Sequence, residues 1–275
     1  MTPLVEVCDR RLNGVRLFLK RDDLLEEDLP GNKWRKLKYN LVAAREQGYD
    51  RLLTFGGAYS NHIRAVAAAG QRFGFATVGV IRGEECLPLN ESLAYAVQRG
   101  MRLVYLDRGT YRRKAEPGVV DELLGEFGPA YVLPEGGSNA LAVRGCAELP
   151  GEIDIPFDVI CCACGTGGTL AGIAAGLRGQ RALGFSVLKG GRFLDDDVRR
   201  LQGEHPTANW SIDYDFHFGG YAKRTPALDA FVADFQDRHG VRLDRVYEAK
   251  MMYGLFARIA DGVFPEGTVM VAVVA

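Results

Sequence analysis

Lys33 lies in the stretch Leu29-Pro30-Gly31-Asn32-Lys33-Trp34-Arg35-Lys36-Leu37. Pro30-Gly31 is strong turn chemistry, and Trp34, Leu37, Leu41 and Ala44 then recur at helical spacing as far as Gly48. The pattern predicts Lys33 in the first turn of a helix, where the positive end of the dipole disfavours a cation. An amine that attacks a carbonyl needs that destabilisation, because only its neutral form is nucleophilic. Arg35 and Lys36 push in the same direction. The alternative is a solvated basic face made of Lys33, Arg35, Lys36 and Lys38. Upstream, Lys20-Arg21-Asp22-Asp23 closes a strand-like run and Glu26-Glu27-Asp28 leads into the turn.

Three glycine-rich junctions each follow a strand-like run and open a helix-like one: Gly56-Gly57-Ala58-Tyr59-Ser60-Asn61-His62, Gly136-Gly137-Ser138-Asn139 and Gly165-Thr166-Gly167-Gly168-Thr169. Open parallel sheets bind ligands outside the carboxyl ends of their strands, where such junctions sit. Gly165 to Thr169 offer unhindered amides and two hydroxyls at a helix start, which suits a phosphate monoester. No lysine follows the glycines as in a Walker loop. Leu170 stands where a dinucleotide fingerprint needs its last glycine, and Lys189 rather than an acid ends the next strand. A tight turn without a ligand is the competing explanation. Ser60, Asn61 and His62 could hold a carboxylate or a ring oxygen, or Ser60 or Asn61 could simply cap the helix. Ser60 with His62 does not make a hydrolase pair, since the Gly-x-Ser-x-Gly elbow is absent.

Tyr247-Glu248 opens an amphipathic run containing Met252, Leu255, Phe256 and Ile259. Tyr247 reads as a staple or as an acid–base group, and Glu248 as a first-turn acid or as partner of a protonated ring nitrogen. Tyr221, in Gly219-Gly220-Tyr221-Ala222-Lys223, reads by default as a packing or stacking residue. Cys161, Cys162 and Cys164 share one apolar strand whose neighbours alternate faces, so no metal is expected there. With Cys8, Cys86 and Cys146 scattered, all six are expected to be buried, reduced thiols.

These residues need a scaffold, and the chain supplies strand–helix alternation. Leu52 to Phe55, Ala76 to Ile81, Met101 to Leu106, Tyr131 to Leu133, Val159 to Cys164, Leu183 to Leu188 and Thr268 to Val274 read as strands, with helical patterns between them. Apolar strands separated by helices predict an α/β fold of parallel or mixed sheets covered by helices. The length of 275 residues allows two lobes, with no flexible tether to separate them. A hydrophobic content of 47% and a net charge of -1 fit a globular protein with no nucleic-acid or membrane-surface footprint. No apolar run reaches the length of a membrane span, and Met1-Thr2-Pro3-Leu4-Val5-Glu6 lacks a leader pattern, so the cytoplasm is the expected compartment.

Taken together, Arg21-Asp22-Asp23, Gly31-Asn32-Lys33-x-Arg35-Lys36-Leu37, Ser60-Asn61-His62, Pro134-Glu135-Gly136-Gly137-Ser138-Asn139, Gly165-Thr166-Gly167-Gly168-Thr169 and Tyr247-Glu248-x-Lys250 resemble one family in its own order. It is the 1-aminocyclopropane-1-carboxylate deaminase and D-cysteine desulfhydrase family of pyridoxal-phosphate enzymes. The resemblance implies a two-lobed, tryptophan-synthase β-like fold (fold type II), with residues 1–50 and 151–275 forming a large cofactor lobe and 51–150 a small one. It implies that Lys33 forms a Schiff base with pyridoxal 5'-phosphate and that Asn61 meets the ring oxygen. Gly165, Thr166, Gly167, Gly168 and Thr169 would hold the phosphate, and Glu248 would face the ring nitrogen. Ser60 and Tyr247 join Lys33 as catalytic residues, and Ser60, Asn61, His62 and Tyr221 as contacts of a small amino-acid substrate. A homodimer is implied as well.

Within that family, elimination of hydrosulfide from D-cysteine and opening of the cyclopropane ring are the two expected activities. His62 leans toward the first, since the ring-opening members resemble Gln at that position, and Glu248 leans toward the second. Family members carry a glycine-rich turn of His-Thr-Gly-Gly character after the last strand, whereas this sequence stops at Ala275. That difference motivates a second expectation, a non-catalytic homologue that binds cofactor or amino acid.

Overall fold

The computed structural model describes residues 2–25, 29 and 31–275. Glu26, Glu27, Asp28 and Pro30 of the expected turn lie outside the described residues. The first part of the chain runs β1 (Leu4–Val7), β2 (Arg16–Arg21), α1 (Asn32–Glu46), β3 (Arg51–Gly56), α2 (Asn61–Phe73), β4 (Ala76–Arg82) and α3 (Glu91–Gln98). It continues through β5 (Met101–Leu106), α4 (Arg108–Arg112), α5 (Pro117–Phe127), β6 (Tyr131–Leu133), α6 (Ala140–Cys146) and β7 (Val159–Cys164). The last part holds α7 (Gly168–Gly176), β8 (Arg181–Ser186), α8 (Leu194–Gln202), β9 (Trp210–Asp213), α9 (Pro226–His239), α10 (Glu248–Ala260) and β10 (Val269–Val274).

The chain divides into two compact units, Met1–Asn32 with Val143–Ala275, and Lys33–Ala142. These boundaries differ from the expected 50/51 and 150/151. The reason lies in the polar face of α1. Lys36 donates to Gly136 O and Ser138 Oγ, and Asn40 bonds Asn139, so the helix after Asn32 belongs with the smaller unit.

In the larger unit six strands lie in the order β1-β2-β10-β7-β8-β9. Among the described residues of this sheet only the β1–β2 pair is antiparallel. Successive side chains of a strand point to opposite faces, and both faces here are packed. Met270, Ala272 and Val274 of β10 join Phe235 of α9 and Met251 and Leu255 of α10. Val271 and Val273 join Leu170 and Ile173 of α7 and Val198 of α8. The same alternation sends Cys161 to the first face and Cys162 and Cys164 to the second. Cys8 and Cys86 are exposed, which corrects the expectation that every thiol is buried.

The smaller unit holds four parallel strands in the order β5-β4-β3-β6. Leu53, Phe55, Val78 and Val80 pack there against Tyr111, Leu123 and Phe127. Among the described residues no helix is long and apolar enough to cross a membrane.

Candidate active site

In the larger unit, Gly165 to Gly167 join β7 to α7 at the carboxyl end of a parallel strand. Gly167 has φ +73°, and a Cβ there would lie 2.8 Å from Cγ2 of Val198 on α8. The left-handed backbone and the neighbouring helix both demand glycine. No side chain caps α7. The amides of its first turn have no intrahelical partner, and the dipole adds partial positive charge at the same place. Asn32 Nδ2 donates to the Thr169 hydroxyl at 3.5 Å. Asn32 is the first residue of α1, and Lys33 is the next in the chain.

The Tyr247 ring lies against this turn, since a Cβ on Gly165 would be 3.0 Å from its Cε1. Tyr221 meets Tyr247 edge to face, with ring centroids 6.0 Å apart and planes at 71°. Asp244 fixes where α10 begins. Its Oδ1 accepts from the amides of Val246 and Tyr247 at 2.8 and 3.0 Å, and its Oδ2 from that of Glu248 at 2.8 Å. Glu248 reciprocates, accepting the Asp244 amide at 2.9 Å through Oε2 and the Ala275 amide through Oε1. One carboxyl group thus ties the start of α10 to the end of β10. Burial and the neighbouring Asp244 carboxylate push its pKa up to about 8, against the pull of the backbone donors.

Two turns after β9 present Tyr221. Phe218, Gly219, Gly220 and Ala222 all have positive φ, at 51°, 92°, 117° and 56°. For the two non-glycine residues this backbone costs about 1–2 kcal/mol each. Lys250 of α10, fully buried, donates to His217 O at 3.0 Å and to Gly220 O at 2.7 Å within this segment. Burial draws its pKa down to about 8, opposed by the charge of Asp244.

In the smaller unit, Lys33 is half-buried in the first turn of α1. Arg35 and Lys36 are buried, so the alternative of a solvated basic face does not hold for them. Lys36 Nζ donates to Gly136 O and to Ser138 Oγ, both at 3.1 Å. Asn40 and Asn139 exchange side-chain hydrogen bonds, and the Tyr131 hydroxyl donates to Asn40 Oδ1 at 3.1 Å.

Ser60 is the N-cap of α2, its Oγ accepting from the Ile63 amide at 3.3 Å, and half-buried Asn61 is the first helical residue. His62 is 2% exposed, with Nε2 2.8 Å from Thr54 Oγ1. Thr54 gives its only hydroxyl proton to Leu133 O at 3.0 Å. Nε2 therefore carries the imidazole proton, and Nδ1 is a buried acceptor with no partner among the described residues. Burial holds the His62 pKa well below its usual value, and the charges of Lys33 and Lys36 add to the effect. Gly137, at φ +65°, comes so close that a Cβ would sit 2.8 Å from His62 Cε1.

The larger unit thus gathers Gly165 to Thr169, Tyr247, Tyr221 and Glu248, and the smaller unit gathers Lys33, Ser60, Asn61 and His62. Sequence reading missed Lys36, Asn40, Asp244 and Lys250 as organisers. Glu248 follows Asp244 by four residues rather than the three of a capping box, so their spacing gave no cap signal. The residues fit pyridoxal phosphate: an uncapped helix start behind an obligatory glycine suits its phosphate, and a lysine its aldehyde.

The fold and these residues define a class, the pyridoxal-phosphate-dependent enzymes of fold type II. The family model described as pyridoxal-phosphate dependent enzyme matches residues 1–188, and the chain belongs to that family. It is 33% identical over 260 residues to a Pyrococcus horikoshii protein provisionally named 1-aminocyclopropane-1-carboxylate deaminase, covering 88% of this chain and 79% of that one. It is 34% identical over 273 residues to the mitochondrial bifunctional D-cysteine desulfhydrase/1-aminocyclopropane-1-carboxylate deaminase of Arabidopsis thaliana, covering 90% and 68%. A crystal structure of a 1-aminocyclopropane-1-carboxylate deaminase homologue superposes with a TM-score of 0.85 at 28% identity, covering 99% of this chain and 88% of that one. These relatives are named for enzymes and lend no support to the non-catalytic alternative.

Proposed function

We propose that the protein removes the amino group of a small amino acid as ammonia. It would act either by α,β-elimination from D-cysteine, releasing hydrosulfide and pyruvate, or by opening 1-aminocyclopropane-1-carboxylate to 2-oxobutanoate. The carrying observation is the contact of Asn32, the residue before Lys33, with Thr169 in the first turn of the uncapped α7. When bound, pyridoxal phosphate supplies an electron sink that makes bonds to the substrate's Cα labile. The amides of α7 and the Thr166 and Thr169 hydroxyls would hold the phosphate, and Lys33 the aldehyde. The Lys33 amine, displaced from the aldehyde by the substrate's amino group, would be the base placed for the Cα proton.

Asn61 binds the ring oxygen. Each Glu248 oxygen accepts one amide and keeps a second lone pair, which serves the ring nitrogen. The Ser60 hydroxyl oxygen is engaged by Ile63, and its proton remains to donate to the substrate carboxylate. His62, neutral, orders that side of the pocket, while Tyr247 supplies a phenol for proton transfer and Tyr221 packs on it. We further propose a cytoplasmic homodimer. The free state of all six thiols supports the compartment, and family likeness supports the dimer. Sedimentation velocity tests the assembly.

The purified protein should be yellow, and borohydride should fix the cofactor onto the peptide containing Lys33. Product assays on D-cysteine, 1-aminocyclopropane-1-carboxylate and D-serine, run side by side, identify the substrate. A cofactor-loaded protein that yields no pyruvate and no 2-oxobutanoate would overturn the reading. Lys33→Ala should abolish fixation and lower kcat by roughly 10²–10⁴-fold, the contribution of a placed proton-transfer group.

A further inference from the structure

We propose that Lys250 is a positioning residue for the reaction: it clamps the double turn after β9 so that Tyr221 is held on Tyr247. The inference rests on the function proposed above and names a group that it leaves unused. The acceptor carbonyls of the two turns converge on one ammonium. His217 O receives the Gly220 amide at 3.0 Å and Gly220 O the Lys223 amide at 3.1 Å, and both also receive Lys250 Nζ. Tyr221 follows Gly220 directly, so fixing that carbonyl fixes where the tyrosine leaves the turn. The backbone does not hold this shape unaided, because Phe218 and Ala222 are left-handed without being glycine.

From there the contacts run from Tyr221 to Tyr247 and from Tyr247 to Gly165 of the phosphate turn. A lysine three residues after Tyr247 on the same rigid helix therefore sets both tyrosines at once. A surface lysine would have no such task. Here the whole side chain is out of water and its nitrogen has two carbonyl partners.

The test compares the wild-type holoenzyme with Lys250→Met, Tyr221→Ala and the double variant. Lys250→Met should lower kcat by roughly tenfold or more, part of what a placed proton-transfer group contributes, while cofactor affinity stays within about twofold. The double variant should lose no more than the stronger single variant, because the lysine acts through the tyrosine. Hydrogen exchange, which does not depend on turnover, should show the Gly220 and Lys223 amides opening roughly tenfold faster in Lys250→Met, with the rest of α10 unchanged.

Wild-type kcat in Lys250→Met, or losses that simply add in the double variant, would overturn the proposal. So would failure of the Lys250 variants to fold while Tyr221→Ala stays folded and active. Absence of product from the wild-type protein would instead overturn the proposed function, and the exchange rates would still report whether Lys250 holds the turn.

Discussion

α2 and α7 both follow a parallel strand through a glycine turn, and they treat their first amides in opposite ways. At α2, Ser60 turns its own hydroxyl onto the Ile63 amide, so the chain satisfies itself. At α7 the N-cap position is Gly167, which has no side chain to offer. The self-capped start is a rigid base for Asn61 and His62, and the open start is the one proposed above to take the phosphate. α10 lies at the self-sufficient extreme, with Asp244 and Glu248 each accepting the other's amide. Three helix starts therefore divide by where their hydrogen bonds go.

The sharpest way to separate these cases is the charge at α10. The Glu248 pKa of about 8 stands above its unfolded value of 4.5. Below pH 4.5 both states carry the proton. Between 4.5 and 8 the folded state keeps a proton that the unfolded state has lost, so stability falls as pH rises through that window and levels off above it. The loss should be on the order of a few kcal/mol. Urea midpoints measured from pH 5 to 8 should slope downward in the wild type and flatten in Glu248→Gln. Parallel slopes would break the account.

Closing the open start is the next largest effect. Gly167→Ala adds a Cβ near Val198 and forces a left-handed alanine, costing about 1–2 kcal/mol in conformation alone. Titration of the apoprotein with pyridoxal phosphate should show roughly tenfold weaker binding. An unchanged affinity would mean that the phosphate is held elsewhere. Ser60→Ala removes the α2 cap and should cost about 1 kcal/mol of stability with cofactor affinity intact. A comparable fall in cofactor affinity would erase the contrast between the two junctions. Smallest of all, the His62 imidazole should titrate by NMR at lower pH than an exposed histidine, since burial and the charges of Lys33 and Lys36 hold its pKa well below the usual value.

Strand–helix alternation after Leu52 was legible because each strand is an apolar run and each helix has a periodic face. α7 begins at Gly168, inside the glycine run, where glycines carry no periodic signal to mark the first turn. β9 escaped notice because Trp-Ser-Ile-Asp is too short to show alternation. The chemistry-bearing residues announced themselves through motif order. Their supports did not. Lys36 and Lys250 had no partner legible in the sequence, and only the carbonyls they meet, brought near by the fold, give each a task. The boundary at Asn32 was invisible for the same reason, because it depends on which distant residues α1 bonds.

β10 lies between β2 and β7, in the middle of the larger unit's sheet. A central strand is thus made long after its neighbour β2, while residues 33–142 form an unbroken stretch that can fold as it emerges. Until residues 269–274 arrive, β2 and β7 face each other across a gap one strand wide, with unpaired backbone on both sides. Nascent chains arrested before that point should bind chaperones through this gap, and chains long enough to expose residues 269–274 should not.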